Sequence, residues 1–210
     1  MKEARWGKAR FPKGYQKVVG FKNGCLFLHK NSKEFVKILK DIDIIEREND
    51  KYKIFEIGAG SGRNLHYIKE EFPNVKIACN DLFKQASFEE MSDSIKDIVD
   101  FYEADTLELF EQNRFEDIDL LISSDHLMHL QTNKVIKIVL LINHKWKPKY
   151  ILLRECLPTY VDKLHPRLYH EAYKDFNQEY ELIFDELDVN ESTRYTDRTP
   201  RFFIRVFKRK

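Results

Sequence analysis

Three glycines alternate through Glu56-Ile57-Gly58-Ala59-Gly60-Ser61-Gly62, two residues after a carboxylate, where an apolar run from Lys53 meets a segment of helical spacing. Glycine at this density permits turns of positive φ and leaves main chain bare for a ligand to touch, at an entropic cost that ordinary connectors avoid. Two more carboxylates close later apolar runs, Asp81 after VKIACN and Asp105 after VDFYEA, while a fourth run, DIDLLISS, leads into Asp125, His126 and His129. Carboxylates can accept charge-assisted hydrogen bonds from hydroxyls and amines, worth roughly 1.5–3 kcal/mol each where water is excluded. A histidine one helical turn from another can carry a proton near neutral pH. Bare backbone, acids and histidines at strand ends are the ingredients of a ligand site.

The elements that must position them follow from periodicity. Asn31 and Glu34 can form a capping box ahead of Phe35, Ile38, Leu39, Ile42 and Ile45, whose spacing predicts a helix with one buried face. From Lys53 the pattern alternates: KIFEIG then NLHYIKEEF, VKIACN then a helix within about 84–98, VDFYEA, DIDLLISS then a helix from Thr132 through Trp146, and YILLREC. Continuous apolar strands separated by helices indicate a parallel sheet covered on both faces. EYELIFDELDV and PRFFIRVFK instead alternate in polarity across a polar connector, as an antiparallel pair does. The expected fold class is therefore α/β, a Rossmann-like open sheet that is parallel through five strands and antiparallel at its end. Residues 1–50 are expected to be an N-terminal arm and covering helix, and residues 51–210 the main domain.

The glycine order departs from the dinucleotide fingerprint G-x-G-x-x-G, since Gly62 comes one position early and Arg63 stands in its place. That spacing resembles motif I of the class I S-adenosylmethionine-dependent methyltransferases. The resemblance continues through Asp81-Leu82-Phe83, Glu103-Ala104-Asp105-Thr106 and the stretch from Asp119 to Leu130. It implies S-adenosyl-L-methionine as cofactor, with Asp81 on the ribose hydroxyls, Asp105 on the adenine amine, and Ser123 and Ser124 at the cofactor edge. Glu56, Gly58, Ala59, Gly60, Gly62, Asn64, Leu82 and Thr106 complete the expected cofactor site, with Leu82 and Phe83 as apolar wall. Alternative roles for single residues are plain ones: Asp81 as a turn former, Asp105 as a helix cap.

Methyl transfer is an in-line displacement that gains much of its rate from positioning. Candidate catalytic residues are His126, His129 and Glu155, with His129 alternatively a structural histidine and no metal expected. Charges inside an apolar strand are costly unless they reach a partner or the site mouth, which singles out Arg154 and Glu155. Candidate substrate-binding residues are Tyr15, Asp125, Arg154 and Tyr169. Arg154 can bind an anionic substrate group or serve in an ion pair, and His165, Tyr169 and His170 belong to an expected cover over the site.

Composition narrows the substrate class. With 36 Lys+Arg against 35 Asp+Glu the net charge is +1, so no overall field announces nucleic acid or an anionic membrane. The hydrophobic content of 42% and mean hydropathy of -0.56 fit a solvated globule. Three separated cysteines lack zinc or disulfide spacing, and no signal-peptide core or membrane-length apolar run is present, so a cytoplasmic setting is expected. A small-molecule acceptor, methylated on oxygen or nitrogen, is the favoured expectation. The alternative is RNA, DNA or protein held by the basic, aromatic N-terminal arm, although SSDH stands where DNA amine methylases carry an NPPY-like clamp. A cofactor-free binding module or a nicotinamide enzyme fits less well, given the glycine spacing and the two acids.

Overall fold

In the computed structural model the described residues are 26–45, 49–82, 84–112, 117–156, 176, 178–188 and 202–210. Tyr15, Phe83, His165, Tyr169, His170, the basic arm and the 189–201 connector lie outside them.

Seven strands form one sheet: β1 (Lys53–Ile57), β2 (Lys76–Asp81), β3 (Asp100–Glu103), β4 (Leu120–Ser124), β5 (Tyr150–Cys156), β6 (Tyr180–Asp188) and β7 (Phe202–Arg209), in the order β3-β2-β1-β4-β5-β7-β6. The first five are mutually parallel, while β7 runs antiparallel to both β5 and β6. The expected α/β fold, with its antiparallel close, is the observed one. Strand order reverses between β1 and β4, the switch point at whose carboxyl-end crevice ligands of open α/β sheets bind.

Alternation along the strands sends side chains to two apolar layers. Phe55, Ile57, Leu121, Ile151 and Leu153 pack with Leu109, Phe110, Val135, Ile138 and Trp146 on one face. These come from α5 (Thr106–Glu111) and from α6 (Thr132–Leu141), which widens into a π-helical turn, Ile142–Trp146. Trp146 Nε1 donates to Phe110 O at 3.1 Å, satisfying the indole inside that layer. On the other face Ile54, Leu120, Ile122 and Leu152 meet Phe35, Leu39, Leu65, Ile68 and Ile95. The helices there are α1 (Leu26–Asp41), α2 (Arg63–Glu71) and the short α4 (Asp93–Lys96).

Two local expectations need correcting. The helix α1 starts at Leu26, so Asn31 lies inside it rather than capping it, and the neighbouring Ser32 is buried. Tertiary packing overrides the capping tendency of a single Asn-x-x-Glu pattern. The helix expected within 84–98 is two, α3 (Lys84–Glu90) and α4, because Ser92 turns out of helical geometry and its side chain accepts from the Ser94 amide.

Candidate active site

The site is built where β1, β2, β3 and β4 end. Gly58, Gly60 and Gly62 all have positive φ, and Ala59 N donates to Asn80 O at 3.1 Å, tying the turn to β2. The three glycines are not equivalent. A Cβ on Gly58 would fall 2.0 Å from His126 Nδ1, whereas a Cβ on Gly60 would meet nothing within 4 Å. Gly58 therefore makes room for a side chain of the protein itself, and Gly60 presents bare main chain to open space. Gly62, the N-cap of α2, faces Ile95 and Met91 and serves helix packing. The sequence predicts cofactor contact for all three; of these, Gly60 is the one whose Cβ position is open.

Asp81 closes β2 beside this turn, its Oδ2 accepting from Gly60 N at 3.0 Å. Leu82 follows directly after β2, an apolar side chain with 47% exposure. Glu56, at 2% exposure, accepts from Asn64 Nδ2 at 2.7 Å through Oε1, while its enclosed Oε2 has no hydrogen-bond partner among the described residues. Burial raises the Glu56 carboxyl to about 7, despite the lowering effects of Asn64 and Arg63.

Asp105 is fully engaged. Its Oδ1 accepts from the Leu107 and Glu108 amides at the start of α5, and its Oδ2 from Lys134 Nζ at 2.9 Å. Burial alone would raise this carboxyl, but Lys134 and the two amides outweigh it and hold it below the usual range. The capping role left open by the sequence is thus real. One acceptor position on Oδ2 is all that an adenine amine could share with Lys134.

His126 carries the turn geometry. Its ring lies against Gly58, and its Nε2 is 3.0 Å from Thr106 Oγ1, which also accepts from Asn80 Nδ2 at 3.0 Å. Burial, with the charge of His129 adding to it, pushes the imidazole down to about 4, so it is neutral at physiological pH. The sequence predicts a general base here; the structure makes His126 the link between Gly58 and the β3 end, with Thr106 turned inward instead of toward a ligand. Exposed His129 is the other catalytic candidate, held below its ordinary value by desolvation and drawn partly back by Asp125.

Glu155 is 1% exposed and lies beneath the turn Leu127–His129. Its Oε1 accepts from Ser123 Oγ at 2.5 Å, from Leu127 N at 3.1 Å and from His126 N at 3.4 Å. A carboxylate so enclosed cannot touch an acceptor while the turn stays in place, and Ser123, expected at the cofactor edge, is turned to it in the sheet interior. Ser124 is half-buried at the strand end. Glu155→Gln keeps an acceptor but drops the charge, and about 1–2 kcal/mol of stability should go with it. Urea unfolding checks this, and an unchanged midpoint would contradict the anchoring role.

Arg154 is buried and its Nη1 donates to Asp125 Oδ2 at 2.6 Å, the ion pair that the sequence leaves as one of two options. Asp125 sits immediately after β4 with φ 57, an uncommon conformation outside glycine that Asp tolerates better than most residues. Its other oxygen, Oδ1, is enclosed and has no hydrogen-bond partner among the described residues. Burial raises the Asp125 carboxyl against the pull of Arg154 and His129. Among the described residues no group of three or more His, Cys, Asp or Glu is arranged to hold a metal, and no helix is long and apolar enough to cross a membrane.

What sequence reasoning misses is the partnering: Lys134 on Asp105, Asn80 on Thr106, and the His126 ring over Gly58. Each joins elements more than twenty residues apart, and local spacing carries no signal of them.

Comparison with known proteins agrees with this architecture. Residues 55–143 match the family model described as "Methyltransferase domain". The methyltransferase domain of bacterial CtHen1 superposes with TM-score 0.58 at 11% identity, covering 86% of this chain and 98% of that one. A protein described as a sarcosine dimethylglycine methyltransferase from Galdieria sulphuraria gives TM-score 0.60 at 12% identity, covering 85% of each chain. LepI, in complex with SAH and a substrate analogue, gives 0.55 at 14%, covering 82% of this chain and 46% of that one. No curated protein matches at the sequence level. Residues 55–143 thus match a methyltransferase domain, and the seven-stranded sheet shares the fold of these solved methyltransferase structures.

Proposed function

We propose that the protein transfers a methyl group from S-adenosyl-L-methionine to an oxygen or nitrogen of a small molecule. The observation that carries the cofactor assignment is the open backbone at Gly60, with the Asp81 carboxylate 3.0 Å from its amide. The residues fit the group. A side chain is missing where a ligand needs space, a carboxylate for ribose hydroxyls stands beside that space, and Leu82 offers an apolar wall. Glu56 Oε2, enclosed and unpartnered among the described residues, suits the ammonium of the cofactor's amino-acid tail. When bound, the cofactor supplies an electrophilic methyl on a sulfonium.

The protein's part is then to bind and orient. Asp81 and the Gly60 turn fix the nucleoside, and Asp105 accepts the adenine amine on the Oδ2 it shares with Lys134. His126 keeps the turn in shape from beneath. Near-zero net charge supports a small acceptor, since no broad cationic field is available for a polyanion. The assignment is tested by Asp81→Ala, expected to weaken S-adenosylmethionine binding roughly 10- to 100-fold, the equivalent of about 1.5–3 kcal/mol. Calorimetric titration showing unchanged affinity would remove Asp81 from the site.

A further inference from the structure

The pairing of Asp105 with Lys134 exceeds what capping and folding require. Asp105 Oδ1 caps α5 by itself, accepting from the Leu107 and Glu108 amides, while Oδ2 is met by Lys134 Nζ at 2.9 Å. The two side chains keep 25% and 39% exposure, and an ion pair this open contributes little to stability. Lys134 arrives from α6, which follows β4, whereas Asp105 follows β3, so the pair is assembled by the fold at the carboxyl ends of the strands. Asp105 is the acceptor that its ammonium reaches among the described residues, and further N–H donors remain on Nζ. Oδ2 likewise keeps a second lone pair. An acceptor and a donor thus stand side by side on two half-exposed side chains of opposite charge, and the pair as a whole suits an uncharged ring.

That combination complements one edge of adenine, whose exocyclic amine donates next to the N7 acceptor. The amides of Leu107 and Glu108 are turned to Oδ1 of Asp105 itself, which leaves Lys134 as the donor next to Oδ2. N7 is one bond farther from the amine nitrogen than N1 is, and the wider spacing suits a donor and acceptor carried by separate side chains. We propose that Lys134 Nζ donates to N7 of the cofactor's adenine while Asp105 Oδ2 accepts from its amine, making Lys134 a specificity-determining residue of the cofactor site. This rests on the methyltransferase reading and deepens it, because a carboxylate alone reads only the amine. The ion pair need not break on binding, since each partner has a free position to offer the base.

The test titrates two probes, S-adenosylhomocysteine and its 7-deaza analogue, in which a C–H replaces N7 and the amine is retained. The wild-type protein should bind the analogue about 10-fold more weakly, the size of one charge-assisted hydrogen bond. Lys134→Met keeps an unbranched side chain of similar length without the donor. It should weaken S-adenosylhomocysteine by about the same 10-fold and leave the analogue within about twofold, so that the preference disappears. Equal wild-type affinities for the two probes would overturn the proposal, whether or not the variant folds. So would a variant that binds both probes more weakly but still prefers S-adenosylhomocysteine, which would reduce Lys134 to a support for Asp105 and assign N7 to another donor. Binding of neither probe to the wild type would instead overturn the methyltransferase reading beneath it.

Discussion

Gly58→Ala should destabilise the fold by about 3–5 kcal/mol, while Gly60→Ala should cost only about 1 kcal/mol and abolish cofactor binding instead. The two substitutions share the backbone penalty of a side chain at positive φ, since the residues have φ 62 and 54. They differ in what the new methyl meets. At Gly58 it falls 2.0 Å from Nδ1 and 2.2 Å from Cγ of the His126 ring. That ring cannot swing away without losing Thr106 Oγ1, and with it the connection to Asn80. At Gly60 the methyl enters unoccupied space, which is the space proposed above for the cofactor. Urea unfolding reads the first effect and titration with S-adenosylhomocysteine the second. Adding His126→Ala to Gly58→Ala should relieve the clash but not the backbone strain, a coupling that a double-mutant cycle isolates. Equal stability losses at the two glycines would sink the distinction between them.

Glu56→Gln should change the shape of the stability–pH curve by about 3 kcal/mol. In the folded protein Glu56 titrates near 7, against 4.5 ordinarily, so between those values the native state holds a proton that the unfolded chain releases. Stability contributed by this group is present below pH 4.5 and declines as pH rises toward 7. His126 runs the other way. Its native value near 4, against 6.5, means that the unfolded chain takes up a proton first as pH falls, and stability is lost from pH 6.5 down to 4. The two slopes oppose each other between about pH 4.5 and 6.5, giving the wild type a flat profile there. Gln keeps an acceptor for Asn64 but does not ionise, so only the His126 slope remains and the decline toward pH 7 disappears. Thermal melts from pH 4 to 8 check this, and a variant curve parallel to the wild-type curve would show that Glu56 titrates elsewhere.

The strands, their direction and the antiparallel close were legible in the sequence, because burial on both faces writes continuous apolar runs such as KIFEI and LLISS, whereas a half-exposed pair writes alternation. The placement of the glycine turn, of Asp81 and of Asp105 at strand ends was legible for a related reason: the parallel sheet fixes the spacing between one strand end and the next. Tertiary structure alone decided how those residues are used. Which glycine faces a ligand depends on where the His126 ring lies, and that ring arrives from a turn 68 residues along the chain. Whether Arg154 is free for substrate depends on Asp125, and whether Glu155 can react depends on the two amides and the hydroxyl that enclose it. Local propensity and periodicity report how a residue meets its neighbours in sequence. Hydrogen-bond partners and burial are set by elements that meet only after folding, and in this protein those partners separate the groups that hold the turn from the groups left open to a ligand.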